Sequence, residues 1–273
     1  MAQSVISEAK VPAAEQNDFV SVFRRNIHDA IVMTRRNLIH YVRLPQLLVF
    51  STIQPIMFVL LFAYVFGGSI QIPGFDYIDY LLPGILVQTV LFGGSATTVG
   101  LADDLSKGLI DRFRSLPMAR SAVLAGRTLA DTVRNFLVVL LMIGVGTLIG
   151  FRYHDGLMNM ILAVLLVVLF GHAMSWIFAL VGILVKDPET AQVAGFVWVF
   201  PLVFASSVFV RTDTMPDWLQ VFAENQPISL VANAARGLIL GTSTSDFIPA
   251  LIWIVAIWIV FAFLAVRQYR RTV

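Results

Sequence analysis

The sequence predicts an all-α membrane protein of six transmembrane helices, and three observations support this. Only 13% of the side chains are charged while 58% are apolar, whereas a soluble domain carries roughly a quarter charged. The apolar residues gather into six runs, each near the ~20 residues that cross a hydrocarbon core as helix. In a six-span arrangement, Arg152, Arg211 and Arg236 alone of the 19 Lys and Arg residues fall on one side, and that bias orients a chain with its basic side in the cytoplasm. The formal charge of +2 is this one-sided excess, so it does not imply nucleic acid. The absence of Cys excludes disulfide staples, thiolate metal sites and cysteine nucleophiles together.

Residues 1–18 are polar and read as a flexible cytoplasmic tail. They hold no signal-peptide core, so the first apolar run, after Arg43, is expected to stay as a span. Residues 19–44 form the next unit: Phe19, Phe23, Ile27, Ile31, Leu38 and Val42 recur at helical steps among Arg24, Arg25, Asp29, Arg35 and Arg36. That pattern predicts a basic amphipathic helix on the membrane surface, with a solvated helix against a soluble partner as the alternative. A six-span domain, residues 45–273, follows.

Span one is Leu47 to Phe66, carrying Pro55 and ending at Gly67-Gly68. Span two, Tyr80 to Ala102, gathers Gly93, Gly94, Ser95, Ala96, Thr97 and Gly100 in its second half, small residues that let helix backbones approach closely. Span three runs from Thr132 to Gly150, with Asp131 and Arg134 expected at its mouth and a Gly146/Gly150 spacing inside. Span four, Leu157 to Val185, is overlong and should tilt. Span five, Ala191 to Val210, should kink at Pro201. The segment 211–249 holds two amphipathic pieces too short to cross, expected outside the membrane as a lid in or near the outer leaflet, and span six is Ala250 to Val266.

The polar stretch 103–127, between spans two and three, is the densest run of charge in the chain and reads as a docking element. Asp103 to Ser115 suits one short helix, with acids at its start and Arg112 and Arg114 at its end complementing the helix dipole. Pro117 would stop it at Leu116. Leu105, Leu109, Ile110 and Phe113 would form its apolar stripe.

Other chemistry is missing. The spans are read as nearly free of ionisable groups, which an ion-coupled carrier needs for its relay, and the exception, His172, lies among Gly171, Ala173 and Ser175 as a packing residue would. An intramembrane hydrolase would need a base for Ser95, and only distant His172 offers one. No GxxxxGK[ST] occurs, so ATP is not bound here in the P-loop manner.

Several motifs in order carry a resemblance: Tyr80 to Gln88, Lys107-Gly108, Asp111 to Pro117, Ala125-Gly126-Arg127, Pro201 to Ser206, Met215 to Leu219 and Asn225 to Ser229. Together they resemble the type-2 ABC exporter permeases, and among those the daunorubicin-resistance-type drug permeases. The resemblance implies a permease dimer, of identical or paralogous copies, working in a bacterial plasma membrane with both termini cytoplasmic. It implies two copies of a separately encoded ABC ATPase that bind the ATP and Mg, with no cofactor and no enzymatic activity on this chain. It also places a cytoplasmic coupling helix between spans two and three, so that Asp103, Asp104, Lys107, Gly108, Asp111, Arg112, Phe113, Arg114 and Pro117 become the ATPase-coupling residues.

The function this implies is export of amphipathic drugs or lipid-like molecules; export of a glycolipid or polysaccharide is the alternative within the family. A ligand chosen by hydrophobicity meets apolar and aromatic walls with a few polar groups. Gln88 and Phe92 on span two and Phe204, Ser206, Ser207 and Phe209 on span five are the candidates for that path.

Overall fold

The computed structural model describes residues 19–43, 45–68, 72, 74–109 and 120–272. Among these, apart from one isolated bridge between Ile72 and Phe75, the regular structure is helical, as expected where lipid cannot satisfy a backbone and the chain must do so itself. The helices in order are α1 (Phe19–Arg43), α2 (Pro45–Leu61, continued by a π-helical turn, Phe62–Phe66), α3 (Tyr77–Gly93), α4 (Ser95–Ser106), α5 (Arg120–Ile149) and α6 (Gly156–Val185). They are followed by α7 (Pro188–Phe196), α8 (Val199–Phe204), α9 (Asp217–Asn225), α10 (Pro227–Leu240) and α11 (Phe247–Thr272).

Among the described residues, four stretches are long and apolar enough to cross a membrane: Tyr77–Ser106, Ser121–Ile149, Gly156–Val185 and Phe247–Thr272. They contain the second, third, fourth and sixth expected spans. The first and fifth are shorter apolar helices, Thr52–Phe66 and Pro188–Phe204. The fifth is interrupted, because Val197 and Trp198 form a turn between α7 and α8. Pro201 explains it: proline brings no N–H to the carbonyl four residues earlier, that of Val197, and its ring crowds that carbonyl. The expected continuous helix to Val210 therefore ends at Phe204.

Burial sorts the helices by depth. Along α3, Leu81, Leu82, Ile85, Leu86, Val87, Val90 and Leu91 are all buried, and α6 buries Phe170 and Phe178 completely. A helix apolar on every side belongs at the centre of a bundle. By contrast α11 buries one stripe, Ala250, Ile254, Ile257, Ala265 and Tyr269, and leaves Ile252, Ile259 and Phe263 exposed, an arrangement that suits lipid. α6 runs 30 residues, about 45 Å of helix, and stops where Lys186 turns left-handed at φ 61°.

Small residues mark the closest contacts. A Cβ on Gly94 would overlap the Phe178 ring, and one on Gly126 would overlap Met33, so α4 meets α6 and α1 meets α5 backbone to side chain. Gly146 packs against Leu82, whereas Gly150 ends α5 at φ +126° with open space around it, so the two glycines of that spacing do not act as a pair. In α1 the buried stripe is Met33, Asn37 and Tyr41, which leaves Ile27, Ile31 and Val42 of the expected apolar stripe exposed.

Two expectations are corrected. Asp103 to Ser106 are the last turn of α4, not the first turn of a separate helix; Gly108, at φ +63°, takes a left-handed turn, which no continuous right-handed helix can contain. From Ile110 onward that expected helix lies outside the described residues. The second amphipathic piece, α10, is not a surface lid: Leu230, Val231, Leu238 and Ile239 are buried in the main core. Of the two pieces, α9 is the one that presents an apolar surface, through Trp218, Val221 and Phe222.

Candidate functional site

α3 and α4 are interrupted at Gly94, and one cluster of buried polar side chains lies at the joint. The Thr97 amide, which an unbroken helix would direct to the Gly93 carbonyl, bonds the Gly94 carbonyl at 2.9 Å instead. Arg134 of α5 takes up the Gly93 carbonyl through Nη2 at 2.5 Å. Arg127, about two turns earlier on the same face, donates to the Ala96 carbonyl at 2.9 Å.

Asp131, fully buried, ties this face together. Tyr41 of α1 donates to its Oδ1 at 2.6 Å, Thr97 donates to its Oδ2, and Arg134 Nη1 lies 3.6 Å away. The Arg134 guanidinium also sits 5.3 Å from the centre of the Tyr41 ring. Burial, then the Asp131 charge, pushes the Tyr41 phenol up to about 12. Asp131 and Arg134, expected at the mouth of the third span, are thus buried charges of α5 covered by Tyr41 of α1. The sequence signal was available: Arg127, Asp131 and Arg134 stand at i, i+4 and i+7, one face of a helix.

A cavity of about 140 Å³ opens beside this joint, lined by Gln54, Pro55, Gln88, Thr89, Phe92 and Gly93, and closed by Ser95, Ala96, Arg134 and Phe196. Of the six residues expected to line a substrate path, Gln88 and Phe92 are here. The other four are elsewhere. Phe204 and Phe209 join Phe62 in an aromatic stack, with centroids 5.1 and 4.4 Å from Phe209. Ser206 and Ser207 are buried and spent on the fold: the Ser206 hydroxyl donates to the Val203 carbonyl, and Ser207 Oγ donates to Asn233 at 2.8 Å.

At the far end of the bundle Arg236 acts as a clamp. It donates to the carbonyls of Tyr80 at 2.8 Å, Ser207 at 2.6 Å and Val208 at 2.9 Å, and to Asn233 Oδ1 at 2.9 Å, while lying 3.8 Å from the centre of the Tyr80 ring. Nearby, Asp79 accepts from the Arg152 amide at 2.8 Å and pairs with His154 at 3.0 Å.

Of the expected coupling residues, Asp103 pairs with Lys107 at 2.7 Å and Asp104 with Arg36 of α1 at 3.6 Å, so the end of α4 is tied to the N-terminal helix. Gly108 forms the turn that follows. Asp111, Arg112, Phe113, Arg114 and Pro117 lie outside the described residues.

Comparison with known proteins identifies the scaffold. The daunorubicin resistance ABC transporter permease protein DrrB1 of Streptomyces coeruleorubidus is 34% identical over 86% of this chain and 84% of its own. The probable doxorubicin resistance ABC transporter permease protein DrrC of Mycobacterium tuberculosis is 27% identical over 90% and 89%. A putative transport permease of Cyanophora paradoxa, ycf38, is 24% identical over 78% and 74%. The model of the ABC-2 type transporter family matches residues 28–240, and with apolar helices of membrane-crossing length the chain is a membrane protein that belongs to that family.

Proposed function

We propose that this chain is the membrane subunit of an ATP-driven exporter, moving amphipathic drugs or lipid-like molecules across a bacterial plasma membrane. The observation that carries the reading is the likeness over most of both chains to permeases named for daunorubicin and doxorubicin resistance. ATP hydrolysis belongs to a separate ABC ATPase, two copies to a permease dimer. α2 and the α7–α8 pair complete six spans, with both termini and the 103–127 stretch on the cytoplasmic side. α1 lies on the membrane surface, a placement supported by the exposed apolar residues Ile27, Ile31 and Val42.

In this mechanism ATP closes the partner ATPases, and their motion is received at Asp103 to Pro117. The pairing of Asp104 with Arg36 carries that motion into α1. Tyr41, Asp131 and Arg134 carry it on to the α3–α4 joint, where the backbone has already surrendered its continuous hydrogen bonding. The cavity at the joint is where ligand is met.

The test is reconstitution with the cognate ATPase, reading membrane yield, ATPase co-purification, and stimulated hydrolysis with export in vesicles. Charge reversal at Asp111 or Arg112 should leave the yield intact and weaken docking or uncouple export, since a like-charge contact at an interface costs up to several kcal/mol. Gly108→Pro should act more strongly, because proline cannot take the φ of +63° that the turn requires. Parent-like docking and export in all three would remove the coupling role from this stretch.

A further inference from the structure

We propose that the cavity at the α3–α4 joint is a binding site for one six-membered aromatic ring bearing a hydroxyl, with the hydroxyl bonded to Gln88. The inference deepens the export reading, on which it rests for what larger molecule the ring is part of. Its first support is size: about 140 Å³ is close to the ~150 Å³ apolar cavity known to take up benzene. The second is the walls. Phe92 and Phe196 face the space with centroids 5.6 Å apart and planes tilted by 54°, and Pro55 adds a further apolar surface. Tilted aromatic walls favour a flat ring over a branched chain.

The third support is the polar inventory. The Thr89 hydroxyl is spent on the Ile85 carbonyl at 2.7 Å, and Ser95 on the Phe92 carbonyl at 2.7 Å. Arg134 is committed to the Gly93 carbonyl, Asn135 and Asp131. Gln88 is only 2% exposed, and its Oε1 is buried with no hydrogen-bond partner. A buried amide left this way destabilises the fold, and a leucine of similar size would not. A residue kept at that cost, at the wall of a ring-sized cavity, is explained by a ligand that completes it.

The ligand's chemistry follows. A carboxamide presents one donor end and one acceptor end, and a hydroxyl can satisfy either. A charged group is disfavoured, because Asp131 and Arg134 already neutralise each other and no unpaired charge faces the cavity. Gln54 is the exposed member of the lining, so the remainder of an amphipathic ligand would leave past it.

The experiment uses the full chain in lipid nanodiscs, with empty nanodiscs as the partition control, and follows 4-fluorophenol and fluorobenzene by fluorine NMR. Saturable 4-fluorophenol binding is expected, weakened about tenfold in Gln88→Leu, the worth of one net hydrogen bond, with fluorobenzene unchanged by that substitution. Gln88→Leu should also melt no lower than the parent, which separates lost recognition from lost fold. Ala96→Leu fills the space and should abolish binding of both probes, and the smaller Ala96→Val should reduce it.

Equal affinity for the two probes, no saturable binding, or binding that survives every filling variant would overturn the proposal. Phenol binding with no export of any drug by the reconstituted transporter sinks the export reading and leaves the site; export without phenol binding does the reverse.

Discussion

At the scale of single residues, Asp131 is the side chain whose loss should be felt most. It receives Tyr41 and Thr97 and faces Arg134. Asp131→Ala leaves a buried guanidinium without its charge partner, for which about 3–5 kcal/mol is expected. Asp131→Asn, which keeps an acceptor for Tyr41, should cost clearly less; thermal unfolding in detergent of the two variants makes the comparison. Tyr41 gives an optical readout of the same network. Its folded pKa, about 12, lies above the ordinary value of 10.0, so its contribution is complete below pH 10 and fades as pH rises toward 12. Tyrosinate absorbance from Tyr41 should therefore appear only as pH approaches 12, and Asp131→Asn should bring it forward. The network was written in the sequence as one charged helix face, but Asp131 and Arg134 also stand beside a long apolar run, where charges ordinarily mark a membrane border. Only the packing of α1 over α5, set by the Gly126 contact with Met33, shows that these charges are roofed over. Gln88 was legible as a polar residue in a span; that it lacks a partner was not, because partners come from elements far away in the chain.

At the scale of elements, periodicity and proline placement located most helices and misjudged some of their ends. The break before Pro201 followed from proline chemistry, whereas the break at Gly94 has no proline, and the close approach of the Phe178 ring there is made from a distant part of the chain. The amphipathic pattern of α10 said that it was too short to cross, yet nothing local said that α3, α6 and α11 would enclose it. α7 shows a cap that sequence alone can read: Asp187 accepts from the Thr190 amide at 2.8 Å and its hydroxyl at 2.6 Å, ahead of Pro188. Those bonds hold the Asp187 carboxyl below its ordinary 3.8. The cap's contribution is thus present above that value and is lost as pH falls through the depressed pKa. A spin label at Glu189 should stay immobilised down to pH 3.8 and loosen only below it. Asp187→Asn should remove the acid transition while keeping the label ordered near neutrality; mobility independent of pH in the parent would refute the cap.

At the scale of the whole molecule, α3, α4 and α6 form the axis, α5 and α11 face outward along much of their length, and each end is fastened differently. The end near Ser106 is held in part by Arg36 and Asp104, whose side chains are 40% and 13% exposed, a pair worth no more than about 1 kcal/mol once solvent and side-chain entropy are counted. The opposite end is held by Arg236, a buried cation bonded to backbone carbonyls, Asn233 and Ser207. Raising salt from roughly 0.1 M to 1 M shortens the screening length from about 10 Å to about 3 Å. Pulsed-EPR distances between labels at Ile39 and Ser106 should then broaden, while those between Asp76 and Thr242 hold; equal broadening at both ends would contradict this. The Arg236 clamp has a consequence for where the molecule can yield. Its acceptors are dipoles that carry no proton to gain in the physiological range, and its own charge is permanent. Neither acidity nor ionic strength has a handle on the clamp itself, so Tyr80, Ser207 and Val208 stay fastened to α10 as a fixed pivot under conditions that loosen Arg36 from Asp104.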